Sequence, residues 1–226
     1  MKFISKLISL LFPQHCALCR KPSKSALCPE CEKHLVMLNY GCCERCGKPF
    51  RDCICKKKKP KFKRCISAFN YDDAPVKALI YKLKEKGTRC VVSLLSDAIA
   101  KRMSDEYKDL TFDYITYAPS SFLKRSKKGF DHAQLIAKEV SKALDIPFTK
   151  PPIKRHSLFS QKYLSFSQRL KNAQNGYTKT KLKLSGRVLI IDDIITTGST
   201  LSVCSSLIKS AGAKEVYAAV CASSPK

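Results

Sequence analysis

Apolar positions fall into two textures along this chain. Phe3, Ile4, Leu7, Ile8, Leu10 and Leu11 recur at helical spacing, which predicts a short amphipathic helix packed on its own protein. From residue 16 to residue 55 no such period survives: Cys, Pro and Gly dominate, and large apolar residues are too few to fill a core. Past residue 65 regular patterns return. Residues 66–71 read as a strand, 75–86 as a helix stopped by Gly87, 90–102 as a second helix, and 114–118 as a strand ending before Pro119. Ala133, Ile136, Ala137, Val140 and Leu144 share one face of a helix over 131–144. Residues 188–191 form an unbroken apolar run, as a strand covered on both faces requires. A helix over 199–211, stopped by Gly212, and a strand over 216–220 complete the series. Such alternation predicts an α/β fold with a parallel sheet and right-handed crossovers.

Charge sharpens this. The 226 residues carry 43 Lys and Arg against 18 Asp and Glu, a formal net charge of +25. A surface so basic attracts polyanions, nucleic acid above all, although a lysine-rich enzyme with an ordinary solvated surface has the same composition. The basic residues are concentrated between the two textures: Lys56, Lys57, Lys58, Lys59, Lys61, Lys63 and Arg64 crowd around Pro60 and Phe62. Proline and like charges disfavour regular structure, so this stretch reads as a linker or basic arm. It divides the chain into residues 1–60 and residues 61–226. The arm offers phosphate contacts along its lysines, with Phe62 available to stack on a base, and therefore suits single-stranded DNA.

Thirteen cysteines are many, and nine of them lie between Cys16 and Cys55. The first twelve residues hold a short apolar run without a small-residue cleavage site, and no stretch approaches the roughly 18 apolar residues of a membrane span. A reducing cytoplasm, and metal rather than disulfides, is the expectation. Spacing supports it. Cys16-x2-Cys19 and Cys28-x2-Cys31 are followed by Cys43-x2-Cys46 and Cys53-x-Cys55. A tight turn between two cysteines aims both sulfurs at one ion, and two such turns complete a tetrahedron. Two closed, structural Zn²⁺ sites follow, with His15 and His34 outside the paired spacing. Eight thiolates and two Zn²⁺ change the charge by −4 and leave about +21. Cys42 competes with Cys43 as a ligand, and neighbouring and interleaved pairings are both compatible with the spacing.

The most specific stretch runs from Val188 to Thr200: four apolar residues, Asp192-Asp193, Ile194-Ile195, then Thr196-Thr197-Gly198-Ser199-Thr200 before a helix. A buried strand here delivers two carboxylates to the edge of a sheet, where they can accept hydrogen bonds from the vicinal hydroxyls of a ribose. The hydroxyl-rich turn offers N–H and O–H donors to a phosphate at a helix N-terminus, whose dipole favours an anion. Gly198 permits close backbone approach.

This stretch resembles the phosphoribosyl-pyrophosphate (PRPP) signature of type I phosphoribosyltransferases. With the cysteine pairs before it and the segment Leu79–Gly87, the chain is similar to the ComF/GntX family over nearly its whole length. Ala118-Pro119 with Arg125, Lys128, Gly129, Phe130 and Ala133 looks like that family's pyrophosphate-side loop. Gln161, Arg169, Leu170 and Asn172 look like its hood, with Arg169 in a catalytic role. The resemblance implies a parallel-sheet type I phosphoribosyltransferase fold with a small N-terminal four-cysteine zinc module. It implies that Asp192 and Asp193 hold the ribose hydroxyls, that Thr196, Thr197, Gly198, Ser199 and Thr200 cradle the 5′-phosphate, and that Mg²⁺ arrives with PRPP. It also implies handling of single-stranded DNA in natural transformation beside a helicase partner, or alternatively phosphoribosyl transfer in nucleotide metabolism. Three positions depart from the family pattern: Lys128 stands for Arg, and Asp131-His132 for Asn-Gln, so an extra carboxylate is expected near the pyrophosphate. His132 and His156 read as structural or surface residues rather than general bases.

Overall fold

A computed structural model describes residues 15–38, 41–56, 59–120, 126, 129–156 and 176–225. The N-terminal helix expected over 3–11 lies outside them, as do Lys57, Lys58, Arg125, Lys128, Gln161, Arg169, Leu170 and Asn172. Strands β1 (Cys65–Asn70), β2 (Tyr114–Tyr117), β5 (Arg187–Ile195) and β6 (Glu215–Ser223) form one sheet in the order β1-β6-β5-β2. All three pairings are parallel. Strands β3 (Ile153–Arg155) and β4 (Tyr177–Lys179) pair antiparallel in a separate ribbon. The helices are α1 (Pro29–Lys33), α2 (Ala74–Lys86), α3 (Arg89–Glu106), α4 (His132–Leu144) and α5 (Ser199–Ser210).

The unbroken apolar run of β5 follows from burial on both faces. Val188, Leu189, Ile190 and Ile191 are all fully buried. Side chains alternate across a strand, so Leu189 and Ile191 enter the core closed by α2, α3 and α4, while Val188 and Ile190 enter the core closed by α5. The strand outruns the predicted 188–191. Its partner β6 continues beside it, pairing Asp192 with Val220 and Ile195 with Ser223, so both aspartates sit within the ladder. Helix α2 begins with Pro75 in its first turn and ends where Gly87 takes a left-handed conformation, its N–H donating to Leu83 O. Helix α4 buries Ala133, Ile136, Ala137 and Val140, the face its periodicity marked.

The cysteine-rich segment has no core of its own and borrows two. Cys16, Ala17, Leu27 and Cys28 join the cluster on the α2–α4 face. Cys46 and Ile54 join the cluster on the α5 face. No helix among the described residues is long and apolar enough to cross a membrane.

The element after β2 and the element after β5 diverge. Helix α4 covers one face of the sheet, and α5 covers the other. Adjacent strands whose following helices part in this way leave a crevice beyond their carboxyl ends, the usual position of a ligand site in an open α/β sheet.

Candidate functional site

The cysteines gather into two sets of four. Cys16, Cys19, Cys28 and Cys31 form one and Cys43, Cys46, Cys53 and Cys55 the other, with the sulfurs of each set within 4.8 Å of one another. Cys43, not Cys42, enters the second set, and neighbouring pairs combine rather than interleave. The Cys19–Cys28, Cys43–Cys55 and Cys46–Cys53 sulfurs are 3.6, 3.9 and 3.8 Å apart. Four sulfurs about 2.3 Å from a tetrahedral Zn²⁺ stand about 3.8 Å from one another, so the donor sets fit the ion in both size and chemistry. Left to themselves the thiols do not ionise together. Burial would raise Cys16, but N–H groups of Cys28, Cys19 and Leu18 bring it down to about 6; burial and neighbouring thiols push Cys31 up to about 12. A bound dication removes that conflict. Burial pushes the Cys42 thiol up, as suits a neutral packed group.

At the carboxyl edge of β5 a cleft of about 470 Å³ opens over Asp192, Asp193, Thr196 and Thr200. Each aspartate braces itself on the following residue: Asp193 N donates to Asp192 Oδ1 at 2.9 Å, and Ile194 N to Asp193 Oδ1 at 2.8 Å. Asp193 points to the α2–α4 face. Its Oδ2 lies 2.8 Å from Lys84 Nζ on α2 and 3.3 Å from His132 Nε2 on α4. Burial alone would raise Asp193, but the Lys84 charge and the contact with His132 hold it well below the usual carboxylate range. Asp192, one residue earlier and so on the other face, is pushed well up by burial and by the charge of Asp193. The pair thus resists carrying two charges unless a ligand supplies donors. Tyr177 on β4 closes the far side, its hydroxyl kept neutral by burial and donating to Pro119 O, with the Arg155 guanidinium 5.3 Å above its ring.

The hydroxyl loop follows. Gly198, at φ 68°, caps α5; its carbonyl accepts from Ser202 N at 2.8 Å, and Thr197 Oγ1 lies 2.9 Å from Ser199 Oγ. A β-carbon at Gly198 would come 2.6 Å from Ile54 Cδ1. Two elements therefore meet at the loop: the start of α5 and the second cysteine set.

Known proteins share this layout. A double zinc ribbon domain matches residues 7–66, and a phosphoribosyl transferase domain matches residues 131–226. Competence protein F of Haemophilus influenzae is 27% identical over 207 residues, spanning 86% of this chain and 89% of its own length. The chain carries these two domains and is similar to ComF-type competence proteins. DNA utilization protein YhgH of Escherichia coli K12 is 26% identical, covering 92% of this chain and 96% of its own. Competence protein ComFC of Streptococcus pneumoniae is 27% identical over 85% of each chain.

The expected extra carboxylate does not face the cleft. Asp131 is buried, with Oδ2 accepting from Ser120 N and Ser120 Oγ, both at 2.8 Å, so it shapes the loop after β2. The basic arm is only partly as read from sequence. Phe62 is 1% exposed and packs in the α5-side core, so it cannot stack on a base; this corrects the sequence reading. Pro60 and Phe62 are buried between exposed lysines, an alternation the charge count hid. Lys63 pairs with Glu215, and Arg64 lies 3.5 Å from Glu106 and over the Tyr107 ring. Lys56, Lys59 and Lys61 remain exposed, and Lys61 lies beside α5: Lys61 N donates to Ser202 Oγ at 3.3 Å and Lys209 Nζ to Lys61 O at 2.9 Å.

Three site residues carried no signal that sequence reasoning used for the pocket. Lys84 and Tyr177 were indistinguishable from ordinary helix and loop residues. Lys48 is fully buried and donates to Thr196 O at 2.7 Å and Ser224 O at 2.6 Å.

Proposed function

We propose that this protein binds a phosphoribosyl ligand of the PRPP class in the cleft and single-stranded DNA on the lysine arm. In this reading it serves the uptake or use of incoming DNA in natural transformation, in the cytoplasm, beside a helicase-type partner. The observation that carries the ligand half is the acid pair. Asp193 is held as a carboxylate by Lys84, and Asp192 faces the opening with an unfavourable second charge. Two vicinal hydroxyls of a ribose satisfy such a pair, and the loop 196–200 at the start of α5 supplies donors for the 5′-phosphate. Mg²⁺ arriving on the ligand would neutralise the pyrophosphate. With Asp131 turned inward, its carboxylate does not oppose that anion.

The DNA half rests on the exposed lysines and on the names of the relatives, which speak of competence and DNA utilization. Single-strand affinity should fall steeply with salt. Replacing Lys56, Lys57, Lys58, Lys59 and Lys61 by Gln should weaken it and reduce the slope of log affinity against log salt by about 0.7 per lost phosphate contact. Binding that ignores salt, or an unchanged slope in the variant, would remove the arm from the interface. A second reading, transfer of ribose 5-phosphate to a nucleophile with release of pyrophosphate, draws on the same loop. Steady pyrophosphate release with a defined acceptor distinguishes it from ligand binding alone.

A further inference from the structure

The second cysteine set touches the phosphate loop, and the first does not. Cys43 N donates to Lys48 O and Gly47 N to Cys43 O, both at 2.8 Å, which folds the Cys43–Lys48 turn into a compact knuckle. Gly47, at φ 68°, is pressed onto the start of β1: a β-carbon there would lie 2.5 Å from Cys65 O. So seated, the knuckle sends Lys48 inward to the Thr196 and Ser224 carbonyls, 148 and 176 residues away in sequence. Ile54, between ligands Cys53 and Cys55, presses on Gly198. Every one of these contacts lies within two residues of a second-set cysteine. The first set leans instead on α2, where Lys82 donates to Ala17 O.

We infer that Lys48 is a positioning residue that couples the second metal site to the phosphate loop, so that metal at Cys43, Cys46, Cys53 and Cys55 holds the loop 196–200 in its ligand-ready shape. The knuckle geometry depends on both Cys43 and Cys46 being bound to one centre. The hydrogen bond from the buried Lys48 side chain to Thr196 O then fixes the first residue of the loop from below, and Ile54 fixes Gly198. Coupling of this kind is reciprocal: a ligand that needs the ordered loop must in turn retain the second metal. This inference rests on the phosphoribosyl reading for its ligand, though not for its mechanical part.

The test uses the full-length zinc-loaded protein and a chelator, with the two phases of zinc release assigned by Cys19→Ser and Cys55→Ser, each of which speeds its own phase. PRPP with Mg²⁺ should slow release of the second-site zinc at least about tenfold and leave the first unchanged. Lys48→Met should keep both zincs, lose that selective protection, and bind PRPP about ten- to a hundredfold more weakly. A lysine that merely stabilises the fold would lower the melting temperature of the variant but leave the selective protection in place. Equal slowing of both phases, or no slowing while PRPP binds, overturns the inference. Hydrogen exchange of the amides of 196–200 without ligand separates the two readings. If PRPP fails to bind wild type, the phosphoribosyl reading falls, and faster loop exchange in Lys48→Met and after second-site zinc loss still upholds the coupling. Unchanged exchange overturns it.

Discussion

Glu215 sits at the amino edge of the sheet between Lys63 and Arg187, and the hydrogen bonds these two donate lower it to about 2 from an ordinary 4.5. A carboxylate depressed on folding stabilises the folded state above its unfolded value and loses that contribution as pH falls through the folded one. Stability is therefore expected to drop between about pH 4.5 and 2 in wild type, with Glu215→Gln flattening part of that arm of the acid-denaturation curve. An unchanged curve would mean that the exposed pairing is worth nothing, as many surface ion pairs are. At the cleft the two aspartates act in opposite directions. Asp193, depressed, adds to the acid arm, whereas Asp192, raised, costs stability as pH rises past the usual carboxylate range. The two aspartates were legible because their neighbours in sequence are their neighbours in space. Lys48 was not, because a lysine two places after a cysteine reads as a solvated charge and its partners come from the other end of the chain.

Among elements, the segment joining the zinc module to β1 combines two jobs that charge counting merges. Lys56, Lys59 and Lys61 face water, and Phe62 fills the core under α5. Phe62→Ala should cost about 3–5 kcal/mol of stability, read as a lowered denaturation midpoint, with single-strand affinity of the folded protein unchanged. Loss of DNA binding by the folded variant would restore a stacking role for the ring. Helix α4 was readable from its periodicity and the first half of β5 from its unbroken apolar run, whereas the rest of β5, past residue 191, alternates in burial and shows no such run. Strands β3 and β4 were not: three residues each, they gain their place from tertiary contacts such as Tyr177 with Pro119 rather than from any run of their own.

For the whole molecule, the zinc module closes both cores instead of forming a third. Cys16, Ala17, Leu27 and Cys28 pack on one face of the sheet side, and Cys46 and Ile54 on the other. Stripping both metals should therefore expose apolar surface in the transferase-like part as well, with dye binding and a lowered melting temperature as the readouts. A melting transition of the sheet that ignores zinc would show the two parts to be independent. Sequence texture does not reveal that the module's few apolar residues belong to the cores of the sheet, because contacts across the chain leave no periodicity.

In the proposal above, the cleft over Asp192 and Asp193 is a phosphoribosyl site distinct from the lysine surface. Isothermal titration of PRPP with Mg²⁺ into wild type and into Asp192→Asn/Asp193→Asn, repeated with single-stranded DNA, tests it most directly. Wild type should bind both, and the double variant should lose PRPP affinity by at least about a hundredfold while keeping its DNA affinity. Wild type that binds DNA but no PRPP would contradict it, leaving a transferase fold that serves only as a scaffold for nucleic acid.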